Sequence, residues 1–464
     1  MTGQKRWAAR LLGAALFGAA ALSGCGAFAP FLAVPEGTES GRAERMEGGQ
    51  EEKELPFLEY RWEETALPPA YDARETGRAP RVRDQGSLGT CWAFASLAAL
   101  ESSLLPQVSL ELSVDHMTLQ NQFALPQDAG GDYTMSMAYL LGWQGPVLES
   151  QDPYGDGYSP QGLSPCLHVQ EVQILPPKDY EALKRAVYLK GGVQSSLYTE
   201  MTDYQSGSVY YSRDTNSYCY VGGEGPNHDS VIIGWDDHYP KERFHMEVPG
   251  DGAFICTNSW GREFGDEGYF YVSYYDSNIG VHNIVYTRTE GPDNYDRICQ
   301  SDSCGWLGQV GYGEDTVWFA NVYEAKAGES LEAAGFYATG DDTSYELYAA
   351  RHLEWLGVRQ ALLDRQPAGR GAMEFAGFYT VPLNEKIVLD EGEKFAIIVK
   401  ITTPGAIHPA AVEYDSGDGM ARVDLTDGEG YLSYDGQTWE RVEESMKCNL
   451  CLKAYLSSGE PREQ

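Results

Sequence analysis

The sequence predicts an α+β protein: an α-rich lobe, then a β-rich lobe, then an all-β sandwich. Three observations carry this. Residues 91–105 are mostly Ala, Leu, Phe and Trp, apolar on every face, which marks a helix inside a core. Residues 193–198, 228–235, 253–257 and 269–275 are strand-like, by alternation or by β-branched and aromatic content. Beyond about residue 290, short runs at 335–337, 345–349, 375–381, 395–401, 411–414, 431–434 and 450–456 are separated by Gly, Asp and Asn, the texture of a sandwich. Only 351–363 has a helical pattern there, and the segments Ala334-Gly335-Phe336-Tyr337 and Ala376-Gly377-Phe378-Tyr379 echo each other.

The chain begins with a basic patch, Lys5, Arg6 and Arg10, and an apolar run at 11–21. That run is too short to span a bilayer and is an export signal. It ends in Leu22-Ser23-Gly24-Cys25, which resembles the lipobox of bacterial lipoproteins. The resemblance implies cleavage after residue 24, lipidation of Cys25 and a protein held at the extracellular face of the membrane by its acyl chains. Residues 25–60, rich in Gly and Glu over 34–54, are expected to be a flexible tether. They are too few to hold an independently folded inhibitory prodomain.

The formal charge is −35, and loss of residues 1–24 would leave 31 cations against 69 acids. No basic cluster stands ready for phosphate, so nucleic-acid binding is not expected. Nine cysteines are too sparse for a disulfide-built scaffold, and their odd number points to one with another duty.

Cys91 is the candidate. A glycine-rich loop, 84–90, delivers it to the first turn of the apolar helix, where unpaired N–H groups and the helix dipole favour a thiolate. Gln85 lies six residues before it; His228 follows in Asn227-His228-Asp229-Ser230-Val231-Ile232-Ile233-Gly234-Trp235, and Asn258 in Asn258-Ser259-Trp260-Gly261. Alone, a histidine in an apolar strand is a core residue and an Asn-Gly-rich run is a turn. Together and in this order, the four pieces resemble the papain family of cysteine peptidases over residues 67–290.

The resemblance implies a two-lobed catalytic domain at 61–295 and a protein or peptide substrate. Cys91 would be the nucleophile, paired as thiolate with an imidazolium at His228, its pKa at about 3–4 as in such pairs. Asn258 would orient the ring, Trp260 would shield that bond from water, and Gln85 would donate to the oxyanion. Gly130 and Gly131 would bind substrate backbone, with Tyr133 and Val193 lining the main side-chain pocket. The sequence departs from the family at Leu88, commonly a cysteine, so a usual disulfide is absent; packing by Leu88 and Trp92 is the expected substitute. Gly192 stands where proline is usual, and a polar insertion at 238–252 delays Asn258.

Residues 305–458 resemble the lectin-like domain that follows papain-like domains in secreted clostridial proteases, on Trp318-Phe319-Ala320-Asn321-Val322, the 334–337 segment and Ser344-Tyr345-Glu346. This leaves a cell-wall or glycan ligand open, with exposed aromatics as stacking surfaces. No cofactor is expected; calcium on Asp341, Asp342 or Asp415 stays open. Cys299, Cys304, Cys448 and Cys451 can be read as a zinc site or as disulfides, with a disulfide between the two clusters favoured, Cys166 and Cys219 a second possible pair, and Cys256 free and buried. Two rivals to hydrolysis remain: a surface adhesin on a vestigial scaffold, and a transpeptidase that passes the same acyl group to an amine.

Overall fold

The computed structural model describes residues 55–459 except 202, 204 and 418. The export signal, Cys25 and the first part of the tether lie outside the described residues.

Helix Cys91–Leu104 is the spine of the first lobe. Trp92, Ala93, Phe94, Ala95, Leu97, Ala99 and Leu100 are all buried, as an all-round apolar helix requires. The short helix Val114–Leu119 and helix Tyr133–Leu141 pack against it, and strands His228–Asp236 and Asn283–Glu290 cross it from the second lobe. In the second lobe, strands Val193–Leu197, His228–Asp236, Ala253–Thr257 and Tyr269–Ser273 pair antiparallel in that order. This sheet is buried on both faces. Val231 and Ile233 face the first-lobe core, while Ile232 and Trp235 face a second core under the amphipathic helix Tyr180–Leu189. A register shift between Ile232 and Gly234 lets Trp235 share a face with Ile232. The polar insertion folds over its own small core of Tyr239, Phe244 and Val248 against Cys219.

The third unit is the expected sandwich. A sheet of seven strands, centred on Thr343–Ala350, Lys394–Thr402 and Thr316–Glu324, packs on Glu329–Ala338, Ala376–Val388 and Leu452–Ser458. Phe336, Tyr345, Leu347, Tyr379, Phe395, Ile397 and Val399 fill the space between. The two echoing segments are register partners, Phe336 opposite Tyr379 and Tyr337 opposite Phe378. The helical pattern at 351–363 is two short helices, Leu353–Leu356 and Val358–Leu363.

Several expectations are corrected. The tether does not run to residue 60: Phe57–Tyr60 is a strand, parallel to Arg370–Met373 at the sandwich edge. The sandwich begins before residue 305, because Arg297–Cys299 already pairs with Ala454–Leu456. No disulfide joins the described cysteines; all eight are free. Cys448 and Cys451 point into different cores. Cys256 is free and fully buried, as expected.

The units share a seam of backbone hydrogen bonds. Ala376–Tyr379 of the sandwich pairs with Glu171–Ile174 of the first unit, and strand His168–Ile174 pairs onward with Asn283–Glu290. One sheet therefore runs from the sandwich into the β-rich lobe.

Candidate active site

The loop before Cys91 is held from three sides. Toward the second lobe it forms a short antiparallel bridge, with Gln85 N donating to Ser259 O (2.8 Å) and Gly261 N to Arg83 O (3.0 Å). The Arg83 guanidinium reaches Leu112 O (2.7 Å) and the buried Glu101 carboxylate of the helix (3.3 Å). Tyr154 clamps the loop from a third direction. Its hydroxyl donates to Gln85 O (2.9 Å), so its contact with Thr90 Oγ1 (2.7 Å) must be one in which Thr90 donates, a phenol having one hydrogen. The Tyr154 ring stands edge-on to Phe94.

These contacts replace the absent disulfide. Gly89 N donates to Gln127 O (3.0 Å), and a Cβ at Gly89 would lie 2.8 Å from Gly130 N, so the two backbones touch. A Cβ at Gly131 would lie 2.6 Å from the Trp92 indole. Trp92 thus packs as expected. Leu88 contributes differently: it is half-buried, and its carbonyl accepts Gln85 Nε2 (2.7 Å). Gln85 Oε1 accepts Ser259 Oγ (2.6 Å), which fixes the amide and leaves its second N–H hydrogen uncommitted.

His228 is the first residue of its strand, and Asn258 directly follows strand Ala253–Thr257. Asn258 Oδ1 accepts Ser259 N (2.8 Å) and also meets His228 Nε2 (2.8 Å). The shared atom is therefore an acceptor, so Nε2 carries the hydrogen and Nδ1 is the basic nitrogen. The Trp260 indole lies 4.7 Å from the imidazole, tilted by 30°, and is backed edge-on by Phe264. Trp260 is 4% exposed and covers one face of the ring. A cavity of about 360 Å³ lies away from this site, at the far end of the helix around Ser103, Leu105 and Lys190.

Burial works against the charged form of each member of the expected ion pair. Burial pushes the Cys91 thiol up to about 12, with the Asp229 carboxylate adding to the rise. Burial pulls His228 down to about 4, opposed in part by its bond to Asn258. Each group alone prefers to be neutral. Passing one proton from Sγ to the imidazole creates both charges together, and their attraction opposes the penalty of burial.

Gly130 and Gly131 lie against the nucleophile loop and Trp92, and Tyr133 starts the helix just beyond them, half-buried, with its ring 5.7 Å from that of His282. Val193 is not a pocket wall: it is fully buried in the second-lobe core with Ile232. Of the expected calcium ligands, Asp341 accepts Ala376 N, Asp342 lies 3.7 Å from Arg61, and Asp415 accepts Gly417 N in a turn. Among the described residues, the acidic and histidine side chains spaced for a metal are His352, Asp390 and Glu393, but Glu393 already takes a two-point contact from Arg351.

Sequence reasoning missed Tyr154, Ser259, Gln194 and Asp229. A signal for the last two existed only in part: Gln194 and Asp229 are long or charged polar residues in strands that also hold Val193, Leu197 and the apolar run 231–233, and both are buried.

Residues 67–289 match the model of the papain family of cysteine proteases, and residues 298–456 that of a lectin-like domain. The chain is 32% identical over 211 residues to cathepsin K of Gallus gallus, which covers 44% of this chain and 58% of the relative. It is 30% identical over 221 residues to cathepsin S of Rattus norvegicus, covering 44% and 59%. It thus spans less than two thirds of the length of these relatives. Among solved structures, the clostridial cysteine protease Cwp84 after propeptide cleavage superposes with a TM-score of 0.74 at 25% identity, over 84% of this chain and 99% of that one. A structure of the protease and lectin-like domains of Cwp84, a surface layer associated protein of Clostridium difficile, has the same fold, with a TM-score of 0.73 at 24% identity over 87% and 91%.

Proposed function

We propose that this chain, a papain-family cysteine protease domain fused to a C-terminal lectin-like domain, is an endopeptidase that works through Cys91, His228, Asn258 and Gln85. One observation carries the reading most: the strip that seats Gln85 is hydrogen-bonded to the strip that begins with Asn258 and Ser259. Nucleophile loop and base, from different lobes, are thereby held in one register.

In the proposed cycle His228 takes the Sγ proton on Nδ1, because Nε2 is committed to Asn258. The Cys91 thiolate attacks the scissile carbonyl, and the oxyanion receives the Cys91 N–H and the free hydrogen of the Gln85 amide. The imidazolium then protonates the departing amine, leaving a thioester on Cys91. A water molecule, deprotonated by the same imidazole, releases the acid and restores the thiol. The expected result for Cys91→Ala is loss of hydrolysis of a casein or peptide substrate and of labelling by a thiol-directed epoxide. Hydrolysis at the wild-type rate would sink the assignment.

We further propose that the protein is exported and lipid-anchored through Cys25 at the outer face of the membrane, which rests on the Leu22–Cys25 motif alone. The described residues include no helix long and apolar enough to cross a membrane. Cys25→Ser should move the protein from the membrane fraction to the medium; a variant that stays with the membrane would refute the anchor.

A further inference from the structure

Beside the nucleophile lies a carboxylate that the proposed reaction does not use. Asp229 follows His228 directly, and its carboxylate acts on the Cys91 thiol. Its side chain, in a residue only 9% exposed, is held by Gln194 Nε2 (2.8 Å) and the Ser196 hydroxyl. Gln194 is itself oriented from behind. Ser96 Oγ lies 2.7 Å from Gln194 Oε1 and 2.6 Å from Ser136 Oγ. With one hydrogen per hydroxyl, Ser136 donates to Ser96 and Ser96 to Gln194. This leaves the amide nitrogen facing Asp229. A buried relay of polar side chains thus serves to point one donor at one carboxylate.

Among the described residues, no lysine, arginine or histidine forms an ion pair with Asp229. The other charge that reaches it is Asp132, of the same sign. Asp132 caps helix Tyr133–Leu141 immediately after Gly130–Gly131 and is half-exposed. A cation-free buried carboxylate is unfavourable in its own right. Here it also opposes the thiolate that catalysis requires. A cation seated beside Asp229 would offset both penalties. A peptide side chain supplies one.

We propose that Asp229, with Asp132 at the rim, selects substrates carrying lysine or arginine within one or two residues of the scissile bond. Seating that cation also removes the negative field that opposes ionisation of Cys91, so the preferred substrate helps to activate its own nucleophile. This inference rests on the endopeptidase reading above.

The test uses the full chain. A peptide-library profile locates the position, and two fluorogenic peptides that differ there by Lys or Gln are then compared. The wild type should favour Lys by roughly tenfold or more in kcat/KM, the discrimination of one desolvated ion pair. The Lys/Gln ratio should collapse toward one in Asp229→Asn and survive in Asp229→Glu. It should also fall in the wild type below about pH 6, where burial leaves the Asp229 carboxyl protonated. The groups facing that carboxyl are Cys91, Asp132, Tyr133 and Tyr286, with His282 acting through Asp132. A wild type indifferent to the cation, or Asp229→Asn with an undiminished ratio, overturns the inference. Should Asp229→Asn fail to fold, Asp229→Glu and the pH dependence still decide. Failure to cleave any library member or an unfolded protein would instead strike the endopeptidase reading.

Discussion

At the scale of single residues, Tyr154 does the most for the nucleophile loop. Its hydroxyl is the meeting point of Gln85 O and Thr90 Oγ1, one on each side of the glycines before Cys91. Tyr154→Phe keeps the ring against Phe94 and removes only the oxygen. The Gln85 carbonyl then loses its donor, at a cost of about 1–3 kcal/mol for a buried unpaired group. Because the loop carries Gln85 and Cys91, the proposed oxyanion donors, turnover should fall by about tenfold while KM changes little. Steady-state kinetics on any cleaved peptide checks this. A variant that loses stability but keeps kcat would show that Tyr154 supports the fold and not the site. Tyr158→Phe is the control, since that residue is 65% exposed.

At the scale of elements, what the sequence reveals depends on how local the cause is. Helix Cys91–Leu104 and the strands beginning at His228 and Ala253 carry their periodicity in their own residues, and they fold where that pattern places them. So do Cys91, His228 and Asn258, whose neighbours spell out the motif. Phe57–Tyr60 does not. It is four residues long, exposed on alternate positions, and its partner Arg370–Met373 lies at the other end of the chain. Nothing in FLEY announces that pairing, so the segment is easily read as tether. Yet it leads to Trp62, which packs edge-on against Phe375 and donates its backbone N–H to Glu374 (2.9 Å). Glu374 also receives Arg185 of helix Tyr180–Leu189 (2.8 Å). The stretch before the catalytic domain therefore fastens the sandwich to the β-rich lobe. Val193 failed as a pocket residue for a related reason: position in sequence does not say which face of a doubly buried strand meets the cleft. The burial and the Asp229 field that oppose charge on Cys91 were equally unreadable, because they arise only once distant strands meet.

At the scale of the whole molecule, the sandwich is an extension of the catalytic unit's own sheet and not a pendant module. The junction is narrow, four residue pairs from Ala376↔Ile174 to Tyr379↔Glu171, and Gly377 sits inside it. Its φ of +144° is one that a side chain strains to adopt, and a Cβ there would lie 2.1 Å from Val172 O across the seam. Gly377→Ala must therefore push the two strands apart in the shared sheet, which joins the units by backbone hydrogen bonds together with the smaller bridge Phe123↔Ala421. Strain and overpacking of this kind typically cost about 1–3 kcal/mol. Because Asn283–Glu290 pairs with both His168–Ile174 and Val193–Leu197, the disturbed strand lies three strands from His228. Calorimetry of the full chain should give one unfolding transition for the wild type. For Gly377→Ala it should give a lowered transition that separates into two, as the sandwich and the catalytic unit stop unfolding together. A single unshifted transition in the variant would mean that Trp62, Glu374 and the core contacts couple the units and the shared sheet does not.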